Sequence, residues 1–118
     1  MRDAPVFDPA ALQRLRRMGG GTLLRQLLEM YLGLGEERLA ALAAGVESGD
    51  VRRVERAVHT LKATAGNVGA VRLQYTAAAI EEQAAAGVID MELIGRVRDE
   101  YDASAAHLRD LLDSEEPE

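Results

Sequence analysis

His59-Thr60-Leu61-Lys62-Ala63-Thr64-Ala65-Gly66-Asn67-Val68-Gly69 is the stretch that decides the reading of this chain. Its apolar residues Leu61, Ala65 and Val68 continue the i, i+3, i+4, i+7 pattern set by Val51, Val54 and Val58, which is the period of one helix face. With about 100° per residue, His59 falls roughly 130° from the centre of that apolar stripe, on the solvent side. Arg52, Glu55, Arg56, Lys62, Ala63 and Gly66 fall within about 60° of it. The histidine is therefore flanked by charge toward the N-terminus and by small side chains toward the C-terminus. A lone exposed histidine has no special meaning. One with a cation a turn away and no bulk beyond it offers a reactive nitrogen, a partner for an anion and an unobstructed approach.

Outward from this segment, the chain divides at its punctuation. Gly49-Asp50 closes one helix and caps the next, and Gly69 ends the histidine helix, predicted over 51–67. The next helix is expected over 71–86, with Leu73, Ala77, Ile80 and Ala84 inward and Gly87 after it. Asp90 caps a last helix over 91–112, carrying Ile94, Val97, Tyr101, Ala105, Leu108 and Leu111 inward, and an acidic tail fills 113–118. On the other side, Asp8-Pro9 is a helix start, with aspartate as N-cap and proline at the first helical position. That helix is expected to be short, about 8–18, and to stop at Gly19-Gly20-Gly21. A long helix then runs over 22–48, and Gly33 and Gly35 predict a kink or local loosening within it. The expected fold is all-α, an antiparallel four-helix bundle with a short extra N-terminal helix, in a single domain over 1–118.

Composition agrees. Apolar residues make up 47% of the 118 but aromatics only 3%, so alanine and leucine dominate, which suits closely packed helices better than sheets. There is no cysteine, which excludes disulfides and thiolate metal sites, and two histidines are too few to suggest zinc. Gly19-Gly20-Gly21 is not followed by Lys-Ser/Thr, so it is no phosphate loop. No apolar run is long enough for a membrane span, and Met1 to Pro5 show no signal-peptide pattern, so a cytoplasmic location is expected. A net charge of −6 argues against nucleic-acid binding. The charge is unevenly spread: residues 50–73 hold five basic groups against two acidic, whereas 81–118 hold twelve acidic against three basic. The basic block coincides with the histidine and would speed the approach of an acidic partner.

The eleven residues from His59 to Gly69 closely resemble the signature of histidine-containing phosphotransfer (HPt) domains, whose usual form is His-x-Leu-Lys-Gly-Ser-Ala-x-Asn-Leu-Gly. Ala63 departs from it, standing where the family has glycine. The resemblance implies that His59 accepts a phosphoryl group from an aspartyl phosphate on one receiver domain and passes it to another. The partners so implied are receiver domains of hybrid sensor kinases and response regulators. It implies that Lys62 pairs with the phosphoryl oxygens. A Gln or Glu twenty-two residues past the histidine orients the imidazole in this family, and that position is Glu81. A receiver would dock over Arg52, Glu55, Arg56, Ala63 and Gly66. No cofactor or metal is expected on this chain; the Mg²⁺ of the reaction would belong to the receiver. The chain would be a monomeric relay intermediate without kinase activity of its own, since no ATP-binding segment is present. Two other readings stay open: the histidine-bearing domain of a chemotaxis-type kinase, and a helical adaptor that is never phosphorylated. His107, with no lysine or small-residue run beside it, reads as an ordinary surface histidine.

Overall fold

Four helices account for nearly all of the described residues, and aspartates cap three of them. The structure is a computed structural model that describes residues 7–114. Asp8 adopts an extended conformation and its carboxylate accepts from Ala10 N at 3.0 Å, which starts α1 (Pro9–Ser48) with proline in the first turn. Asp50 accepts from Arg53 N at 3.1 Å and opens α2 (Val51–Val68). α3 spans Val71–Ala85 and α4 spans Met91–Ser114, the latter begun by Asp90 accepting from Glu92 N and Leu93 N. No strand occurs among the described residues. The observed helix ends lie within one or two residues of the expected ones for α2, α3 and α4, as fraying helix termini usually allow.

The run Pro9–Ser48 loses helical geometry at Gly19 (φ −151°, ψ 15°) and Gly20 (φ 70°, ψ −164°), inside the expected three-glycine break, so the segment before it is a separate leg joined to the rest through a kink. Only glycine enters the Gly20 conformation freely, so two residues suffice to redirect the chain. The loosening expected at Gly33 and Gly35 is absent, and helical geometry continues through both. The reason is tertiary. Gly35 is buried against the Tyr101 ring, where the lack of a side chain lets α4 approach, and Gly33 sits in open space.

α2 lies between α1 and α3, and α4 packs on α3 and α1. The core is built from Leu24, Leu28, Tyr31, Leu39 and Leu42 of α1, Val54, Val58, Leu61 and Ala65 of α2, Leu73, Ala77 and Ile80 of α3, and Val97, Tyr101, Ala105 and Leu108 of α4. Gly69 makes the turn between α2 and α3 in a left-handed conformation (φ 78°) and also meets Asp8 and Ala11. Its carbonyl accepts from Asp8 N at 2.7 Å, and a Cβ there would lie 2.5 Å from the Asp8 carbonyl oxygen. Buried hydroxyls are paired. Ser104 Oγ donates to Tyr101 O at 2.8 Å, so Tyr31 OH must donate to Ser104 Oγ at 2.9 Å, and Tyr101 OH donates to Leu32 O at 2.9 Å. Burial pushes the Tyr31 phenol up to about 12, so it stays a donor at any physiological pH. No helix of the described residues is long and apolar enough to cross a membrane.

Candidate functional site

Because α2 buries Val58, Leu61 and Ala65, it turns His59 outward, with 64% of that side chain exposed. Ile80 and Ala84, buried on α3, set the neighbouring Glu81 at the rim of the same interface, where only 19% of its side chain is exposed. The two meet: His59 Nδ1 lies 2.5 Å from Glu81 Oε2. Lys62, one turn after the histidine, donates from Nζ to the other oxygen, Glu81 Oε1, at 2.5 Å. One carboxylate from α3 thus engages both the imidazole and the amine of α2.

The electrostatics follow from that sharing. The hydrogen bond from Lys62 holds the Glu81 carboxyl below its usual range; partial burial opposes this, and the His59 contact adds to the lowering. A carboxyl whose pKa is lowered by folding stabilises the fold above its unfolded value near 4.5 and loses that contribution as the pH falls through the folded value. Glu81 is accordingly an anion throughout the neutral range. A carboxylate only accepts, so in the neutral imidazole the proton resides on Nδ1 and the lone pair on Nε2. Nε2 then carries the free lone pair, and a carboxylate in this position can balance positive charge on the ring.

A shallow basin of about 470 Å³ opens beside the histidine, lined by Arg38, Glu55, Arg56, His59, Thr60 and Glu81. Of the residues singled out from the sequence, this brings Glu55, Arg56 and Glu81 to His59. Arg52 is exposed on the same helix two turns earlier, and Ala63 is exposed one turn later. Gly66 is not open space: the Gln74 amide of α3 lies over it, and a Cβ at Gly66 would come within 2.8 Å of Gln74 Nε2. Two residues escaped sequence reasoning, Arg38 and Gln74. Neither belongs to the helix that carries the motif, and only the packing of α1 and α3 on α2 brings them in. Among the described residues, no group of three His, Cys, Asp or Glu side chains could hold a metal ion. His107 is exposed on α4, with its ring 4.4 Å from that of Phe7 and without a lysine–carboxylate pair.

The chain is similar in structure to histidine-containing phosphotransfer protein B (HptB) from Pseudomonas aeruginosa PAO1, with a TM-score of 0.90 and 25% sequence identity over 97% of this chain and 100% of that one. No curated protein sequence matches it. The Hpt domain profile matches residues 26–107, a span that holds His59, Lys62 and Glu81 together with all of α2 and α3. That match covers well over half of the sequence, and the chain belongs to the Hpt domain family, the histidine phosphotransfer proteins of two-component phosphorelays.

Proposed function

We propose that His59 is the phosphoryl carrier, that Lys62 steadies the phosphoryl oxygens and that Glu81 orients the imidazole. The observation that carries this reading is the single Glu81 carboxylate bonded to both His59 Nδ1 and Lys62 Nζ. It leaves Nε2 as the free nitrogen. In the forward step Nε2 attacks the phosphorus of a receiver's aspartyl phosphate. The P–N bond forms, the P–O bond to the aspartyl carboxylate breaks, and the ring keeps its Nδ1 proton and becomes a cation paired with Glu81. Transfer to a second receiver reverses these changes. Phosphoryl transfer depends mainly on positioning and charge stabilisation, which a cation and a fixed ring supply. The Mg²⁺ that neutralises the moving oxygens is assigned to the receiver, and this chain needs no cofactor of its own.

The receiver docks over the exposed face of α2, across Arg52, Glu55, Arg56, Ala63 and Gly66. The Gln74 amide covers Gly66, so the receiver meets that amide beside the small Ala63 side chain. The chain acts as one Hpt domain over 1–118, an antiparallel four-helix bundle whose short 9–18 leg covers one end; the two-residue connections Gly49-Asp50 and Gly69-Ala70 support that topology. It works as a cytoplasmic monomer, a relay intermediate without kinase activity, and takes neither nucleic acid nor membrane as partner. The test is labelling from a phosphorylated receiver. His59→Gln should abolish acid-labile, base-stable phosphate on this chain, and His107→Gln should leave it unchanged. Full labelling of the His59 variant would sink the reading.

A further inference from the structure

We propose that Arg38 is a second phosphoryl-binding cation, reaching the phosphorylated His59 ring from α1 on the side of α2 away from Lys62. This rests on His59 being the carrier. Lys62 is already engaged by Glu81, on the α3 side. Glu55 brings negative charge to the same basin, so a phosphoryl dianion on Nε2 would sit beside a carboxylate. Arg56 shares the basin but precedes the histidine on α2, and helical side chains lean toward the N-terminus, so its guanidinium is carried away from the ring. Arg38 comes from another helix and has no such bias.

Its present bonding leaves it available. Arg38 Nη2 donates to the exposed Glu37 at 3.2 Å, a contact between chain neighbours on the surface that is readily exchanged. Arg38 Nε is enclosed and has no hydrogen-bond acceptor among the described residues. Nε is closed off where it stands, so the guanidinium would meet a phosphoryl group in the basin through its Nη donors, exchanging one weak surface contact for a charge-assisted one. In the unphosphorylated protein the basin holds no such acceptor on the ring. Arg38 therefore distinguishes the two states of the histidine, bonding only the phosphorylated one.

The experiment uses the whole chain labelled with phosphoramidate, in which ammonia leaves and Nε2 gains the phosphoryl group, so that no receiver is involved. The half-life of the phosphohistidine and the pH titration of its ³¹P resonance are compared for the parent, Arg38→Gln and Arg38→Lys. Arg38→Gln should shorten the half-life about three- to tenfold, the scale of one charge-assisted contact near solvent. It should also move the phosphoryl titration midpoint upward, with Arg38→Lys intermediate in both. A midpoint identical to the parent's in Arg38→Gln overturns the proposal even if the half-life falls, because a merely structural role moves no phosphoryl titration. A parent that takes no label at His59 overturns the carrier reading and this proposal with it; a labelled parent with indifferent variants overturns this proposal alone.

Discussion

The pair α2–α3 and the pair α1–α4 use polar groups in opposite ways. Across α2 and α3 the polar groups lie at the rim, where His59, Lys62 and Glu81 bond one another within reach of solvent. Across α1 and α4 they lie inside, where Tyr31 OH donates to Ser104 Oγ, Ser104 Oγ donates to the Tyr101 carbonyl, and Tyr101 OH donates to the Leu32 carbonyl. The two tyrosine rings are 5.7 Å apart and both are at most 2% exposed. At the rim, exchanging a bond with water or with an incoming anion is inexpensive, so such groups suit a reaction. In the interior a lost bond leaves an unmet donor or acceptor, so such groups suit fixing one arrangement of helices. The comparison implies that chemistry and stability are separable in this molecule.

The harshest way to break that separation is Tyr101→Ala. Removing this ring should lower stability by about 3–5 kcal/mol, as large aromatic truncations do, with the Leu32 carbonyl losing its partner as well. Denaturant unfolding measures the loss. The fraction that remains folded should still accept phosphate at His59; absence of label in folded protein would mean that the two regions are coupled. Next in size is Lys62→Ala. It should slow transfer between about tenfold and a hundredfold, the span of a charge-assisted contact worth roughly 1.5–3 kcal/mol, with the melting temperature nearly unchanged. The Glu81 carboxyl, freed from the main cause of its lowered pKa, should climb back toward its usual range, which a pH titration of its NMR signal would detect. Smallest is Gly33→Ala, which should stabilise the protein by about 1 kcal/mol through helix propensity, since nothing lies within 4 Å of the added methyl. Gly35→Ala should have the opposite sign, because its methyl would run into the Tyr101 ring. If thermal melts place both variants on the same side of the parent, the close approach of α4 to α1 is wrong.

Those two glycines also mark what the sequence could reveal. Caps and period are local, so Asp50, Gly49, Gly69 and the Val54–Val58–Leu61–Ala65 stripe located α2, and the spacing to Glu81 needed no structure. Gly33 and Gly35 are alike as sequence, and both read as weak points. Whether a glycine loosens the helix is decided by what faces it: Gly33 and Gly35 stay helical, and the non-helical geometry falls at Gly19–Gly20, inside the expected three-glycine break. The site was legible where it lay on one helix and at one family spacing. Arg38 lies 21 residues before His59 on another helix, and no periodicity joins them. Gln74 over Gly66 was hidden for the same reason: a glycine in the motif suggested space for a partner, and the chain had filled that space itself.

The bond from Asp8 to Gly69 has a consequence for the order in which the chain assembles. It closes a loop of about sixty residues, an entropic penalty that is offset by this bond together with the burial of Ala11, Leu12 and Leu15. The turn at Gly69 aims that carbonyl at Asp8, so the 9–18 leg is expected to dock after α2 and α3 have met and to open before them. Its opening gives up Ala11 and the half-buried Leu12 and Leu15, while His59 stays some ten residues and about 15 Å away along α2. Amide protons of that leg should therefore exchange with solvent through a partial opening that leaves the histidine in place, at a lower free energy than those of α2, which exchange only when the whole bundle comes apart.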